Sequence, residues 1–173
     1  GAGAGSTSDG FISTFTIDSD GTITAVKTQS EGNNLEHDTD TGIRNSLVQV
    51  DSDTYALAYA GADSDGFIST FTIDSDGTIT AVKTQSEGNN LEHDTDTGGH
   101  NSLVQVDSDT YALAYSGTDS DGFISTFTID SDGTITAVKT QSEGNNLEHD
   151  TDTGGHNSLV QVDSDTYALA YSG

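Results

Sequence analysis

The sequence predicts an all-β protein assembled from three copies of one 56-residue repeat. One phenylalanine of the repeat recurs at this interval, at Phe11, Phe67 and Phe123. Residues 67–115 are identical to residues 123–171, and residues 11–59 depart from them only where Ile43 and Arg44 replace a glycine and a histidine. Such near-identity indicates a recent duplication or a deliberately engineered tandem array, and we favour engineering.

Each repeat contains two β-hairpin patterns. Residues 123–129 read FISTFTI, rich in β-branched and aromatic side chains, and an Asp-Ser-Asp-Gly turn joins them to residues 134–140. This order of strand, turn and strand is typical of a hairpin. A second hairpin joins residues 158–162 to residues 166–171 through another aspartate-rich turn. The two hairpins predict four short antiparallel strands in each repeat. Helical periodicity is not sustained in any repeat, so no helix is predicted.

The hairpins divide the chain into two whole units and two halves. The whole units are predicted at residues 46–84 and 102–140. Residues 8–28 would form the outer two strands of a further unit, and residues 158–173 the inner two strands. The predicted connectors, rich in Gly, Asn, Asp and Thr, are residues 29–45, 85–101 and 141–157. Residues 1–7, which begin GAGAG, are expected to be a linker or an N-terminal tail.

The two faces of a unit predict how the units pack. In the strand at 111–115, Tyr111, Leu113 and Tyr115 share one face, and Ala112 and Ala114 share the other. A sheet with one large-residue face and one small-residue face suits the stacking of four-stranded blades in a β-propeller. Small residues on one face also explain why only 31% of the chain is apolar. A β-trefoil, which likewise has three repeats of four strands, is the main alternative.

Three runs of the repeat resemble a known kind of repeat. They are NSLVQVDSDTYALAY at 101–115, DGFISTFTIDSDGTIT at 121–136 and LEHDTD at 147–152. They resemble repeats in large extracellular proteins of marine bacteria, which implies β-propeller blades and a secreted natural source. The resemblance implies no activity.

The half-units at the two ends predict self-association. Three blades are too few to close a ring, because closed propellers usually have four to eight. Unpaired strand edges favour association. If the N-terminal half of one chain pairs with the C-terminal half of another, two chains close a six-bladed ring with twofold symmetry. We therefore expect a homodimer, and a nine-bladed trimer remains geometrically open.

The charge and composition exclude several classes of partner and site. The chain has 29 acidic and 4 basic residues, for a net charge of −25. Without a basic patch it is not expected to bind nucleic acid or anionic lipid. It has no apolar run long enough for membrane insertion as a helix. It has no cysteine, which excludes disulfides, thiolate catalysis and cysteine-ligated metals. A secreted, marine or halophilic origin fits this acidity.

The surplus of carboxylates also bears on assembly. Lys83 is the only basic residue between positions 67 and 122, so ion pairs cannot neutralise the carboxylates of this unit. Two chains that each carry −25 repel one another. We therefore expect the assembly to become more stable with added salt or Ca²⁺, through screening and counterion binding.

The candidate metal ligands lie in two of the predicted connectors, and each connector combines a histidine with carboxylates. They are Glu92, His93, Asp94 and Asp96 in one, and Glu148, His149, Asp150 and Asp152 in the other. This combination suits a divalent cation. The Asp-Gly turns resemble short fragments of calcium loops, which makes Ca²⁺ the candidate cation. The alternative is that the connectors are solvated loops and that the aspartates only stabilise tight turns.

Two functions remain, and both are non-enzymatic. Ser, His and Asp recur in every repeat as turn and connector residues, whereas an active site normally breaks repeat symmetry. A glycine-rich phosphate loop leading into a helix is also missing from the sequence. No catalytic or cofactor-binding residue is predicted. The first function is a symmetric scaffold that self-assembles into a closed propeller. The alternative is an extracellular adhesion module that binds carbohydrate or Ca²⁺ through loops at the rim.

Overall fold

The computed structural model describes residues 8–25, 34–81, 90–137 and 146–173. The predicted tail at 1–7 and the predicted strand ends at 26–28, 82–84 and 138–140 lie outside these ranges. Within them the structure is all-β, as predicted, with two single-turn 3-10 helices at Ala62–Ser64 and Thr118–Ser120. No helix in the described ranges has the length and hydrophobicity of a membrane span.

The strands form four groups, which we call sheets A to D. Sheet A contains β1 (Gly10–Ser13), β2 (Phe15–Ile17), β3 (Ile23–Ala25) and β4 (Asn34–Asp38). Sheet B contains β5 (Ile43–Gln49), β6 (Thr54–Ala60), β7 (Gly66–Ile73), β8 (Ile79–Ala81) and β9 (Asn90–Asp94). Sheet C contains β10 (Gly99–Gln105), β11 (Thr110–Ser116), β12 (Gly122–Ile129), β13 (Ile135–Ala137) and β14 (Asn146–Asp150). Sheet D contains β15 (Gly155–Gln161) and β16 (Tyr167–Ser172).

Sheets B and C are antiparallel throughout and have the same topology. In sheet C, β10 pairs with β11 and β11 pairs with β12. The outermost position is shared, because β13 pairs with one half of β12 and β14 with the other half. Each full sheet therefore has four strand positions, of which the outermost is occupied by two short strands.

The structure places strands inside the predicted connectors. The outer strands β4, β9 and β14 lie within the stretches 29–45, 85–101 and 141–157. Their sequence, NLEHD, is mostly polar and carries no strong strand pattern. It forms a strand because the outer edge of β12, or of its equivalents, offers it a hydrogen-bonded partner, and such tertiary context overrides propensity. The inner strands also begin earlier than predicted, at Ile43, Gly99 and Gly155, because a bulge interrupts each of them after its first residue.

The two ends of the chain carry incomplete sheets. Sheet A has only outer strands, and its third strand position is divided at Thr14 into β1, which pairs with β4, and β2, which pairs with β3. Sheet D has only the two inner strands. Among the described residues, the inner edge of β1 and β2 and the outer edge of β16 have no strand partner.

The sheets stack face to face, with one apolar cluster at each of the three junctions. Between B and C, the small-residue face of B presents Ala56 and Ala58, and the large-residue face of C presents Tyr111, Leu113 and Phe127. Large side chains thus pack on small ones, as the alternation predicts. Complete burial of each such large side chain contributes about 1.5–3 kcal/mol. The inner strands β5, β10 and β15 lie next to one another along the stack.

Candidate functional site

The predicted metal ligands do not converge, because the strand β9 separates them. Successive residues of a strand point to opposite faces, so Glu92 is exposed while His93 turns into the junction between sheets B and C. The imidazole of His93 lies edge-on to Tyr115 and Phe127, with ring centroids 4.7 and 6.1 Å apart. His93 is therefore surrounded by aromatic rings and not by carboxylates.

Two glycines make room for the imidazole of His93. A Cβ atom at Gly66 would collide with this ring, and a Cβ at Gly98 would collide with the backbone of Gly66. The same notch surrounds His37, at Gly10 and Gly42. These glycines therefore allow the close approach of backbone and ring that seats a histidine at each junction.

Burial holds these imidazoles in the neutral form. The pKa of His93 is lowered to about 3 by burial, because the charged form would lose its hydration. Burial also lowers the pKa of His37 and His149, partly offset by the charges of Asp38 and Asp150. Both ring nitrogens of all three histidines are buried without a hydrogen-bond partner among the described residues.

The carboxylates of the same segments stabilise turns. Oδ1 of Asp94 accepts hydrogen bonds from the backbone N–H groups of Asp96 and Thr97, both at 3.0 Å. In the next repeat, Oδ1 of Asp150 accepts the equivalent two bonds at 2.9 and 3.0 Å. These bonds, led by the one from Asp152, lower the pKa of Asp150. Glu148, like Glu92, is exposed. Within the described ranges, three or more His, Asp or Glu side chains nowhere gather closely enough to hold a metal.

Among the described residues, the large apolar side chains that remain exposed belong to the end sheets A and D, or to the parts of sheets B and C that these incomplete sheets leave uncovered. They are Phe11, Phe15, Ile17, Ile23, Ile43, Leu47, Leu147, Val160, Val162 and Tyr171. Except for Ile43, whose equivalents are glycines, the equivalent side chains inside the stack are buried or half-buried. Phe15 is 59% exposed and its equivalent Phe71 only 3%, and Leu47 is 46% exposed against 5% for Leu103. Since the repeats are almost identical in sequence, the difference comes from the missing neighbour at each end.

The structure also reveals a groove that sequence reasoning did not assign. Arg44, His100 and His156 occupy the same position in the bulges of β5, β10 and β15. Together with Asn45, Asn101 and Asn157 they line a groove of about 320 Å³. The rings of His100 and His156 are 4.3 Å apart between centroids. The signal available in the sequence was the break in repeat symmetry at Ile43 and Arg44.

The groove explains part of that break. A Cβ atom at Gly99 would collide with the guanidinium of Arg44, whereas a Cβ at Gly155 would lie 3.8 Å from the ring of His100, an ordinary contact. A side chain at this bulge position therefore fits beside a histidine of the preceding sheet without any shift. Beside Arg44 it would require the guanidinium to move.

A scan against protein-family models finds no model that matches the chain, and no curated protein matches it. The resemblance to marine bacterial repeats stays a prediction.

Proposed function

We propose that this chain is a non-enzymatic scaffold that self-assembles into a closed β-propeller, with two chains forming one six-bladed ring. The observation that carries the proposal is the pair of incomplete sheets at its ends. Sheet A has only the outer strands of a blade and sheet D has only the inner strands. Sheet D of one chain and sheet A of another together hold the strands of one blade.

The register in which β16 of one chain would pair with β1 and β2 of another follows from the pairing of β11 with β12. Residues 10–17 have the same sequence as β12, and β16 has the same sequence as residues 111–116 of β11. The pairing of β11 with β12 puts Tyr111 opposite Phe127 and Tyr115 opposite Phe123. The same register between chains sets Tyr167 opposite Phe15 of the partner subunit, and Tyr171 opposite Phe11 of the partner subunit. Both free strand edges would then be satisfied.

In the proposed ring, the exposed apolar side chains of one chain would pack against those of the other. Inside the chain, Val104 and Val106 of sheet C pack against Leu159 and Tyr167 of sheet D. In a ring, Val160 and Val162 of sheet D would meet Leu47 of the partner subunit in the same way. The exposed phenylalanines of sheet A would cover the small-residue face of sheet C of the other chain. Burial of these side chains would supply the driving force for closure.

Hydrogen bonds across the inner strands support the same geometry. The backbone N–H of Leu103 donates to Oγ of Ser46, and that of Leu159 donates to Oγ of Ser102, both at 2.9 Å. The next bond in this series would run from Leu47 of the partner subunit to Oγ of Ser158. Every junction of the ring would then repeat the same contacts, which is the condition for closure by rotation.

Separate sheets with apolar clusters between them favour a propeller over a trefoil, whose strands close into a barrel. The ring size follows from the number of blades. Each chain supplies the strands of three blades, and closed propellers usually have four to eight. Two chains give six, which lies within that range.

The decisive experiment is the mass in solution, measured by size-exclusion chromatography with light scattering. We expect twice the chain mass of 17.9 kDa. A monodisperse species of one chain mass would contradict assembly, and one of three chain masses would replace the six-bladed ring by a nine-bladed one.

A pair of variants tests whether the ends make the contact. Val160→Lys introduces a charge at the exposed face of sheet D and should shift the mass toward the single chain. Ser52→Lys introduces the same charge in an exposed turn of sheet B and should leave the mass unchanged. Equal behaviour of the two variants would contradict the proposed interface.

A further inference from the structure

The groove on the inner strands carries the only described arginine of a strongly acidic chain. Arg44 is exposed, and among the described residues no carboxylate lies within ion-pair distance of it. His100 of sheet C and His156 of sheet D line the same groove as Arg44, and the two imidazole rings are neighbours. In a chain of net charge −25, positively charged and N–H-donating side chains have been brought together without an anionic partner in the described structure.

The backbone at these positions is in a conformation that favours glycine. The φ angles of Arg44, His100 and His156 are 57°, 54° and 54°, in the left-handed region. A side chain there costs about 1–2 kcal/mol per residue relative to the right-handed conformation. Glycine would relieve this cost, yet each repeat holds a large side chain that carries at least one N–H donor. Strain that recurs at equivalent positions of one groove points to a role for the side chains themselves.

The neighbouring asparagines hold the bulges in place. Nδ2 of Asn101 donates to the backbone oxygens of Gly98, at 3.0 Å, and Arg44, at 3.3 Å. Nδ2 of Asn157 donates to the backbone oxygen of Gly154 at 3.0 Å. The Asn101 amide thus uses both of its N–H groups on the backbone, and the Asn157 amide uses one of its two. Arg44 and the two histidines are the other side chains of the groove that can donate to a ligand.

The electrostatics of the groove favour an anion. Burial lowers the pKa of His100, and the neighbouring charges of Arg44 and His156 lower it further. The groups that face His100 thus act on it as positive charges, and a negative ligand between them would remove this repulsion. The planar guanidinium of Arg44 presents paired donors that match the oxygens of an oxyanion.

We propose that this groove binds a multivalent oxyanion of the sulfate or phosphate class, held by the guanidinium of Arg44 and by ring N–H groups of His100 and His156. The site lies within one chain and does not rest on ring assembly.

Sulfate titration followed by NMR of the imidazole groups tests this proposal. Sodium sulfate is compared with sodium chloride at equal ionic strength and constant pH. We expect saturable shifts of the His100 and His156 signals with sulfate alone. His37, His93 and His149, which are packed against aromatic rings, serve as internal controls and should not move. Shifts that do not saturate, or that are equal for all five histidines, would overturn the site.

Two variants that lower the net charge by one unit separate the groove from the overall charge. Arg44→Gln removes the guanidinium and should weaken sulfate binding about tenfold, as expected for the loss of a charge-assisted contact. Ser52→Asp adds a negative charge at the opposite end of β5 and should leave binding within about twofold of the parent chain. If Ser52→Asp weakens binding as much as Arg44→Gln, or if Arg44→Gln has no effect, the groove is not an anion site. Unchanged His93 signals verify that both variants are folded.

Discussion

The imidazole of His93 meets the ring of Tyr115 edge-on, with 4.7 Å between the ring centroids. The two residues belong to different sheets, so this contact spans the junction between B and C. The pair His37 and Tyr59 repeats it at 4.7 Å in the preceding junction. Each junction of the stack thus contains a neutral imidazole whose ring nitrogens are buried, and its protonation would place a charge among aromatic rings.

Acid should lower the free energy of unfolding through His93. The pKa of His93 is about 3 in the folded chain and 6.5 in the unfolded one. Below pH 6.5 the unfolded state therefore binds more protons, so stability is fully present above pH 6.5 and is lost as the pH falls toward 3. Between pH 7.5 and pH 5 we expect His93 alone to lower the free energy of unfolding by about 2 kcal/mol. Urea unfolding at the two pH values measures the loss.

The variant His93→Phe provides the matched control, because phenylalanine is aromatic and cannot bind a proton. Its free energy of unfolding should fall less between pH 7.5 and pH 5 than that of the parent chain. The window lies above the range in which carboxylates ordinarily titrate, so carboxylate protonation contributes little. An identical pH dependence in the two proteins would show that His93 is not the titrating group.

The second prediction compares two leucines at equivalent positions. Leu103 is buried against sheet B, and Leu103→Ala should lower the free energy of unfolding by about 2–5 kcal/mol, because it leaves a cavity in the junction. Leu47 is exposed at the free face of sheet B. In a ring it would lie in the junction between chains, so Leu47→Ala should weaken association by at least about tenfold.

Denaturant unfolding measures the first leucine effect, and the dilution dependence of the mass measures the second. If Leu47→Ala left the dissociation constant of the assembly unchanged, the free face of sheet B would not be the contact between chains.

Added salt should stabilise the assembly. The association of two chains of charge −25 is opposed by repulsion, which salt screens over a Debye length of about 3 Å at 1 M. We expect the thermal midpoint of the assembly and its resistance to dilution to increase between 0.05 and 1 M NaCl, because the screening length shortens about 4.5-fold over this range. Equal midpoints at both concentrations would contradict this expectation.

Calcium at the same ionic strength separates screening from specific binding. The alternative function, an extracellular module that binds Ca²⁺ or carbohydrate, predicts a stabilisation by CaCl₂ greater than that by MgCl₂. Screening alone predicts the same effect for both salts.

Periodicity made the hairpins predictable from the sequence. Alternation in the strand that contains Tyr111, Leu113 and Tyr115 identified a large-residue face, and the structure packs this face on the alanines of the preceding sheet. The strands β4, β9 and β14 could not be found in this way. The segment that contains His93 and Asp94 is polar, and it becomes a strand only because the edge of β7 is available to pair with it.

The positions of the candidate metal ligands also depend on tertiary pairing. Glu92 and His93 are adjacent in the sequence, and the chemistry of their side chains suits a cation. Once the segment becomes a strand, adjacent residues face opposite sides, and the imidazole enters an aromatic junction. The groove at Arg44 was also hidden, because its three side chains come from positions 56 residues apart.

The sequence by itself determined the all-β class, the repeat, the position of the hairpins and the faces that pack, since these depend on short-range alternation and on turn residues. The tertiary structure decided which edges are completed, where the histidines lie and which apolar side chains remain exposed. These features depend on contacts between residues far apart in the chain. Near-identical repeats therefore acquire different environments solely from the presence or absence of a neighbouring sheet.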